Sequence, residues 1–495
     1  MKKSRYASKY VLPKKFRLDQ KILGVPGDFF IIAAIFLVFS LLFSLLAVTR
    51  HNHFQSQGID FSVYDQALWL YSRFERPFST VGGNFDLADR FRPIMLLISP
   101  LYWFTGNERV LLIFQAVILS SAVFPVWLIA RRYLPWILAV GIAFVYVDFI
   151  GIQAVNAYDF HEMSVLPFLL AWLFYFLEKG YWKSFFGALI LCLAVREHVG
   201  LILSFLGIYI WTAKKNLKIG VVTSTISITW SVVAIKWVMP LLGQHSYDTF
   251  VMPGDSLGGA VTGYIRSPVF AVKSFFLPFE KIETLFWTFF SFGFLPLIAF
   301  SLIPIIGFQF ASRFLDLMHP IRWTIYYHYS AELAVLMSVA TIIAAGKIIK
   351  RFGRSKKIVL ILLILVLVPH FVTNAILHAP LKNLLKRQFW QNQPWTGDNK
   401  IILSLIPKNA SVASQNSLLP HMSHRREIFL LPKVSEADYI MVDLHPGQDN
   451  WDFYTSDLAG TKLQMKQIIL TGKYKVVASA GDSYLLRRQG KNLTH

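Results

Sequence analysis

With 495 residues, 55% of them hydrophobic and only 16% charged, the chain is not an ordinary soluble domain, in which about a quarter of residues are charged, and it reads as a polytopic membrane protein. The formal net charge of +21 does not argue for nucleic acid, because Lys and Arg concentrate beside apolar runs, where they set topology and meet anionic headgroups of membrane lipids. Cys192 is the only cysteine, which excludes an intrachain disulfide and leaves the compartment unread from redox chemistry.

The chain opens on a cytoplasmic basic arm, residues 1–28, carrying Lys2, Lys3, Arg5, Lys9, Lys14, Lys15, Arg17 and Lys21. The apolar run from Phe29 to Val48 behind it is long enough to span, so it reads as a retained first helix with its basic end inside rather than a cleavable signal. A large first outer loop follows, residues 49–92. Pro93 to Phe104 is too short to cross and is expected as a shallow helix, so that Glu108 to Ala130 returns and places Arg131 and Arg132 inside. Leu134 to Ile150 goes out and exposes Tyr158, Asp159, Phe160, His161 and Glu162; Val165 to Leu177 comes back to Lys179 and Lys183.

Ser184 to Thr212 begins and ends beside basic residues but is interrupted by Arg196-Glu197-His198. Two short limbs with that triplet at the outer turn satisfy the topology, whereas one helix burying it costs on the order of 3 kcal/mol per charge. Ile219 to Leu242 exits, and Gly243 to Glu283 forms a long outer segment with Asp248, Asp255 and an amphipathic helix. Thr284 to Ala311, broken by Pro296 and Pro304, reads as a second hairpin. Ala331 to Gly346 then leads to the strongest cytoplasmic signal, Lys347, Lys350, Arg351, Arg354, Lys356 and Lys357, and Val359 to Ala375 crosses last. The sum is a mainly α-helical polytopic unit, residues 29–376, with about eleven spans, its N-terminus inside and its C-terminus outside. Residues 377–495 change character: they are polar, with strand-like runs at Ser411–Ser414, Ile428–Leu431, Tyr439–Val442, Lys475–Ala478 and Tyr484–Leu486 and helical patterns near Lys400 and Leu463. They read as a small extracytoplasmic α/β domain.

The stretch Gly58-Ile59-Asp60-Phe61-Ser62-Val63-Tyr64-Asp65-Gln66 sets two carboxylates five positions apart at the mouth of the membrane, where they suit a general base or a metal ligand. Read blandly, Asp60 is a helix cap and Asp65 a solvated charge. Under the topology above, Asp60, Asp65, Asp159, His161, Glu162, Arg196, Glu197, His198, His319 and Arg322 all reach one outer face. Each has a structural explanation of its own, as a cap, an ion pair or an interfacial histidine; their convergence from distant segments is what favours function. A second patch, Arg313 to Pro320 with Arg322, Tyr326, Tyr327, His328, Tyr329 and Glu332, mixes cations and rings as an amphiphile with a phosphate head requires. As an aromatic belt, it needs no function. Asn416, His421, His424, Arg425 and Arg426 of the C-terminal region are expected to face the same cleft. The phosphate-loop, His-Glu-x-x-His, Cys-x-x-Cys and Gly-x-Ser-x-Gly motifs are absent, which argues against an ATP-driven pump, a zinc protease and a serine hydrolase.

The pattern Asp60-Phe-Ser-Val-Tyr-Asp65-Gln66-Ala-Leu-Trp69, with Arg90-Phe91-Arg92-Pro93-Ile94, Asp159-Phe160-His161, Arg196-Glu197-His198 and Tyr327-His328-Tyr329, resembles a family of prokaryotic multi-span membrane proteins known as a domain of unknown function. Pro407 to Val412, Leu419 to Arg425 and Tyr439 to Asp443 extend the resemblance over nearly the whole chain. That family in turn is similar to the GT-C class of membrane glycosyltransferases. The resemblance implies a polyprenyl-phosphate-linked sugar as donor, an active site at the outer face of the cytoplasmic membrane, and an acidic residue of the first outer loop as base. The residues expected to carry it are Asp60 as base and Asp65 orienting it or sharing a divalent cation, Mg or Mn, with it. Gln66, Asp159, His161, Glu162, Arg196, Glu197, His198, His319, Arg322 and His328 are expected to bind substrate, with Arg196 and His161 stabilising charge on the leaving phosphate. Two other readings stand beside this one: a transporter or lipid flippase for an anionic or amphiphilic substrate, whose broken spans line a pathway, and a scaffold whose outer domain recruits partners.

Overall fold

The computed structural model describes residues 21–22, 25–243, 257–317, 319–435 and 437–490; the basic arm as far as Arg17, Asp248 and Asp255 lie outside the described residues. The described chain is mainly helical, with a five-stranded sheet near its C-terminal end. Among the described residues, five helices are long and apolar enough to cross a membrane: Gly27–Asn52, Arg109–Tyr133, Leu217–Leu241, His328–Phe352 and Lys356–Ile376. Trp136–Asp148 with Ile150–Asn156, bent by 41°, makes a sixth if the pair is counted as one span. The other runs that the sequence assigns to spans fold as shorter helices, among them Leu166–Lys179, Trp182–Leu193, Val199–Lys214 and Ile303–Phe314. A 12-residue helix is about 18 Å long, well short of a hydrocarbon core about 30 Å thick. Ile94–Ile98 and Leu101–Phe104 are short helices, as the length of that run requires.

The segment interrupted by Arg196-Glu197-His198 folds as two limbs. Lys214 Nζ is 2.5 Å from Glu178 at the end of Leu166–Lys179, while Arg196 Nη1 is 3.4 Å from Glu162 just before that helix starts. Helices Leu166–Lys179 and Val199–Lys214 therefore run side by side in the same direction, and the charged triplet forms the turn at the Glu162 end. Phe279–Phe290 and Ile303–Phe314 make the second hairpin, closed by Lys281 Nζ donating to Phe314 O at 2.7 Å. Small residues let Val199–Lys214 lie directly against Leu217–Val233: a Cβ on Gly220 would sit 2.6 Å from the Gly207 carbonyl, and Ser224 Oγ donates to Ser204 O at 2.7 Å. Such close approach replaces the hydrophobic drive that lipid does not supply. Helix Ala331–Phe352 is buried along most of its first four turns and forms the centre of the main core.

In the sheet the strand order is Ile428–Leu430, Val412–Ser414, Tyr439–Asp443, Ser483–Arg488, Tyr474–Ala480. The first three strands are parallel and the last two join antiparallel. All five fall on the strand-like runs of the sequence. Val412, Met441 and Leu485 face helix Pro394–Ser404 through Ile402, and Ala413, Ile440 and Leu486 face Leu458–Leu470 through Met465, the period-two division of a sheet covered on both sides. Phe54, just past the first helix, enters the first of these cores, so this unit is docked on the helical part rather than tethered to it.

Candidate functional site

After Gln57 the chain starts a helix with one wide turn, Gly58–Ser62, before Val63–Ser72 continues as α-helix. The amides that a helix start leaves without intrahelical partners are met from far away in sequence. Gln57 N donates to Asp159 Oδ2 at 2.7 Å, Gly58 N to Asn416 O at 2.8 Å and Ile59 N to Asn416 Oδ1 at 3.0 Å. Only glycine fits at position 58, where a Cβ would fall 2.8 Å from the Leu419 side chain. The turn is thus clamped between the 159 loop and the sheet unit, and it presents Asp60 to a cavity.

Asp60 Oδ2 accepts from the Tyr158 hydroxyl at 2.8 Å, and Oδ1 lies 3.5 Å from His161 Nε2. His161 Nδ1 is 3.1 Å from the Asp159 carbonyl, which can only accept, so Nδ1 carries a proton and Nε2 is the atom turned to Asp60. Burial by itself would raise the Asp60 carboxyl, but the hydrogen bond and charge of His161, the Tyr158 hydroxyl and Arg196 outweigh it and hold the group below its ordinary value. Burial pulls His161 down and Asp60 more than compensates, so the imidazole keeps its proton above the ordinary histidine range. Each shift favours the charged form of its group in the presence of the other. His328 stacks on His161 with ring centroids 4.0 Å apart.

The cavity has a volume of about 370 Å³. Its wall carries Arg90, Arg92, Arg196, Arg313 and Arg322 against the acids Asp60, Asp89 and Glu332, an excess of cation that suits an anionic ligand. The arginines are held from behind. Arg92 Nη2 is 2.5 Å from the fully buried Asp86, and its Nη1 is 3.9 Å from Glu162, which also faces Arg196. Burial would raise Glu162, but Arg196 and then Arg92 bring it below its usual value. Arg322 pairs with Asp316 at 2.5 Å, and Arg313 donates to the Arg322 and Thr324 carbonyls, each at 2.8 Å, and to Ser330 Oγ at 3.0 Å. Trp451 and Tyr454 of the sheet unit complete the lining.

Of the residues singled out from the sequence, Asp60, His161, Arg196, His198, Arg313, Arg322, His328, Tyr329 and Glu332 line this one cavity. Asp159, Glu162 and Glu197 stand behind it: Asp159 caps the Gly58 turn, Glu162 joins two arginines, and Glu197 accepts from Phe91 N at 2.9 Å, fixing the approach to Arg92. Other expectations need correction. Asp65 is buried away from the cavity, its carboxylate bonded by the Tyr102 hydroxyl and by His424 Nε2 at 3.2 Å. Five residues of helix turn a side chain by about 140°, so the two aspartates diverge and do not form a shared carboxylate pair for Mg or Mn. Gln66 is a tie to the sheet unit, its Nε2 donating to Thr80 Oγ1 and the Arg425 carbonyl, each at 3.1 Å, and to the Arg426 carbonyl at 3.2 Å. His319 lies outside the lining and pairs with Asp316 at 2.9 Å. Nor do Asn416, His421, His424, Arg425 and Arg426 line the cleft. Conversely Tyr158, Trp451 and Tyr454 gained no role from the sequence, and Arg90 and Arg92 none beyond their place in a motif; a paired arginine just before an apolar run was the available signal.

Three solved structures match the chain to different degrees. ArnT from Cupriavidus metallidurans bound to undecaprenyl phosphate gives a TM-score of 0.51 at 11% identity, covering 93% of this chain and 98% of that one. The same protein in the apo state gives 0.48 at 10% identity over 93% and 97%, and the Archaeoglobus fulgidus oligosaccharyltransferase in complex with Zn and sulfate gives 0.45 at 13% over 83% and 68%. The first of these carries the GT-C-like architecture that the sequence resemblance implies. A sequence search of curated proteins finds no match. Residues 50–486, with every residue of the Asp60 cavity inside them, match the family described as predicted membrane protein (DUF2079), and the chain belongs to it.

Proposed function

We propose that the chain is a membrane glycosyltransferase which moves a sugar, with inversion, from a polyprenyl-phosphate donor to an acceptor hydroxyl at the outer face of a prokaryotic cytoplasmic membrane. The observation that carries this reading is a charged carboxylate, Asp60, in the same cavity as five guanidinium groups. The acceptor oxygen forms a bond to the anomeric carbon, the bond from that carbon to the phosphate oxygen breaks, Asp60 takes the hydroxyl proton, and the polyprenyl phosphate leaves with both electrons. A carboxylate of lowered pKa is a weak base, and that is sufficient: the hydroxyl becomes acidic only as its bond to carbon forms, so the base need only be within hydrogen-bond reach. Arg196 and Arg92, fixed by Glu162, and Arg322, fixed by Asp316, stabilise the phosphate charge as it grows. His161 keeps Asp60 ionised and oriented. The undecaprenyl phosphate in the ArnT structure, whose fold this chain shares, supports the lipid-phosphate class of donor. In this reading residues 29–376 form the membrane unit with about eleven crossings, the shorter helices acting as paired half-spans, residues 1–28 are the cytoplasmic arm and residues 377–495 lie outside.

The test is turnover of a radiolabelled polyprenyl-phosphate sugar by membranes carrying the wild type or Asp60→Asn. The variant is expected to lose at least about 100-fold in kcat, the span of general-base catalysis, while still retaining donor lipid. Full turnover by Asp60→Asn would remove Asp60 as the base. Donor retained without any turnover by the wild type, across acceptors, would favour the transporter reading instead.

A further inference from the structure

We propose a second site, independent of the reaction above: a transition-metal site, of the kind that takes zinc, formed by His51, Glu108 and His421. The three come from three places that the fold brings together: the end of helix Gly27–Asn52, the residue before helix Arg109–Ser121, and the short turn Leu419–Met422 of the sheet unit. One donor atom from each lies within 4.8 Å of the others. His51 Nε2 and Glu108 Oε1 are 3.3 Å apart, about the separation of two donors that sit 2.0–2.1 Å from zinc at a tetrahedral angle.

The second observation is His421. Its Nε2 is buried and has no hydrogen-bond partner, although a buried polar nitrogen without a partner costs about 1–3 kcal/mol. Its ring lies against that of His51 with centroids 4.2 Å apart, and Arg109, bonded to Glu108 Oε1 at 2.7 Å, adds positive charge beside them. The outer contacts have the form that orients metal ligands: Ser56 Oγ is 3.1 Å from His51 Nδ1, and Arg109 steadies the carboxylate. Two histidines and a carboxylate leave a fourth position for water. Because the ligands come from both sides of the seam, the metal would lock the sheet unit to the membrane unit, next to Phe54, whose ring centroid lies 4.3 Å from that of His421.

Cobalt(II) titration of the full chain in detergent tests this. One equivalent is expected to bind, with the visible bands of four- or five-coordinate cobalt, and to be displaced by one equivalent of zinc; Glu108→Gln and His421→Gln should each weaken binding by tenfold or more. No binding by the wild type, or binding that both variants leave unchanged, would overturn the proposal. A loss of docking alone is separated by His421→Cys, which offers a thiolate at the same place: a new thiolate-to-cobalt charge-transfer band supports the site, and cobalt bound without that band refutes it.

Discussion

The imidazole of His161 lies flat on that of His328, planes 22° apart, with the Tyr158 ring 5.5 Å away on its flank. Packing therefore fixes the ring that faces Asp60, and the Asp60 to His161 pair should appear in the pH dependence of stability. The Asp60 carboxyl is lowered from 3.8, so its contribution is present above that value and is lost as pH falls through the lower folded one. The His161 imidazole is raised from 6.5, so its contribution is full below that value and fades as pH rises through the higher folded one. The apparent Tm in detergent should hold between these limits and decline on the alkaline side. In His161→Gln the alkaline decline attributable to this pair should vanish; an identical profile in the variant would mean that the pair is not ionised as described.

Arg92 is 2% exposed and its partner Asp86 is fully buried. Arg92→Met should cost about 3–5 kcal/mol, because Asp86 and Glu162 stay behind as buried charges. Adding Asp86→Leu should recover a large part of that loss without restoring turnover. Urea unfolding of the single and double variants measures this. Equal losses in both would show that the cost lies in packing rather than charge.

Gln66 acts as a tie. Gln66→Leu strands the Arg425 and Arg426 carbonyls and should cost about 1–3 kcal/mol, while accelerating proteolytic release of the sheet unit. Turnover per folded molecule should change less than twofold. A drop of 100-fold with normal stability would return Gln66 to the substrate.

The Arg196 turn depends on the helix that follows it. A side chain at Gly207 would meet the Gly220 carbonyl and Ser224 Oγ, so Gly207→Val should force Val199–Lys214 away from Leu217–Val233 at a cost of about 1–3 kcal/mol. It should also weaken retention of the lipid donor, since Arg196 precedes that helix. Crosslinking between cysteines introduced at Leu203 and Ser227, residues of the two packed helices, reports the separation. Undiminished crosslinking would count against the mechanism.

Much of this was legible along the chain. Short strand-like runs in the C-terminal region marked all five strands, because strands covered on both faces read as short apolar segments between turns. The charged triplet 196–198 marked a turn, because lipid tolerates those side chains only at a span's end. Asp60, His161 and Arg196 stood out because each is ionisable beside apolar runs. What the sequence by itself determined is therefore local: which segments are helical, which are strands, and where charge must surface. Only the tertiary structure decided that Asp60 faces the arginines while Asp65 turns to Tyr102 and His424, that Gln66 ties two units together, and that His51, Glu108 and His421 meet. The reason is physical. A residue's neighbours in sequence fix the backbone turn it occupies, but the direction of its side chain acquires meaning only from packing against segments far away in the chain, and no local periodicity carries that information.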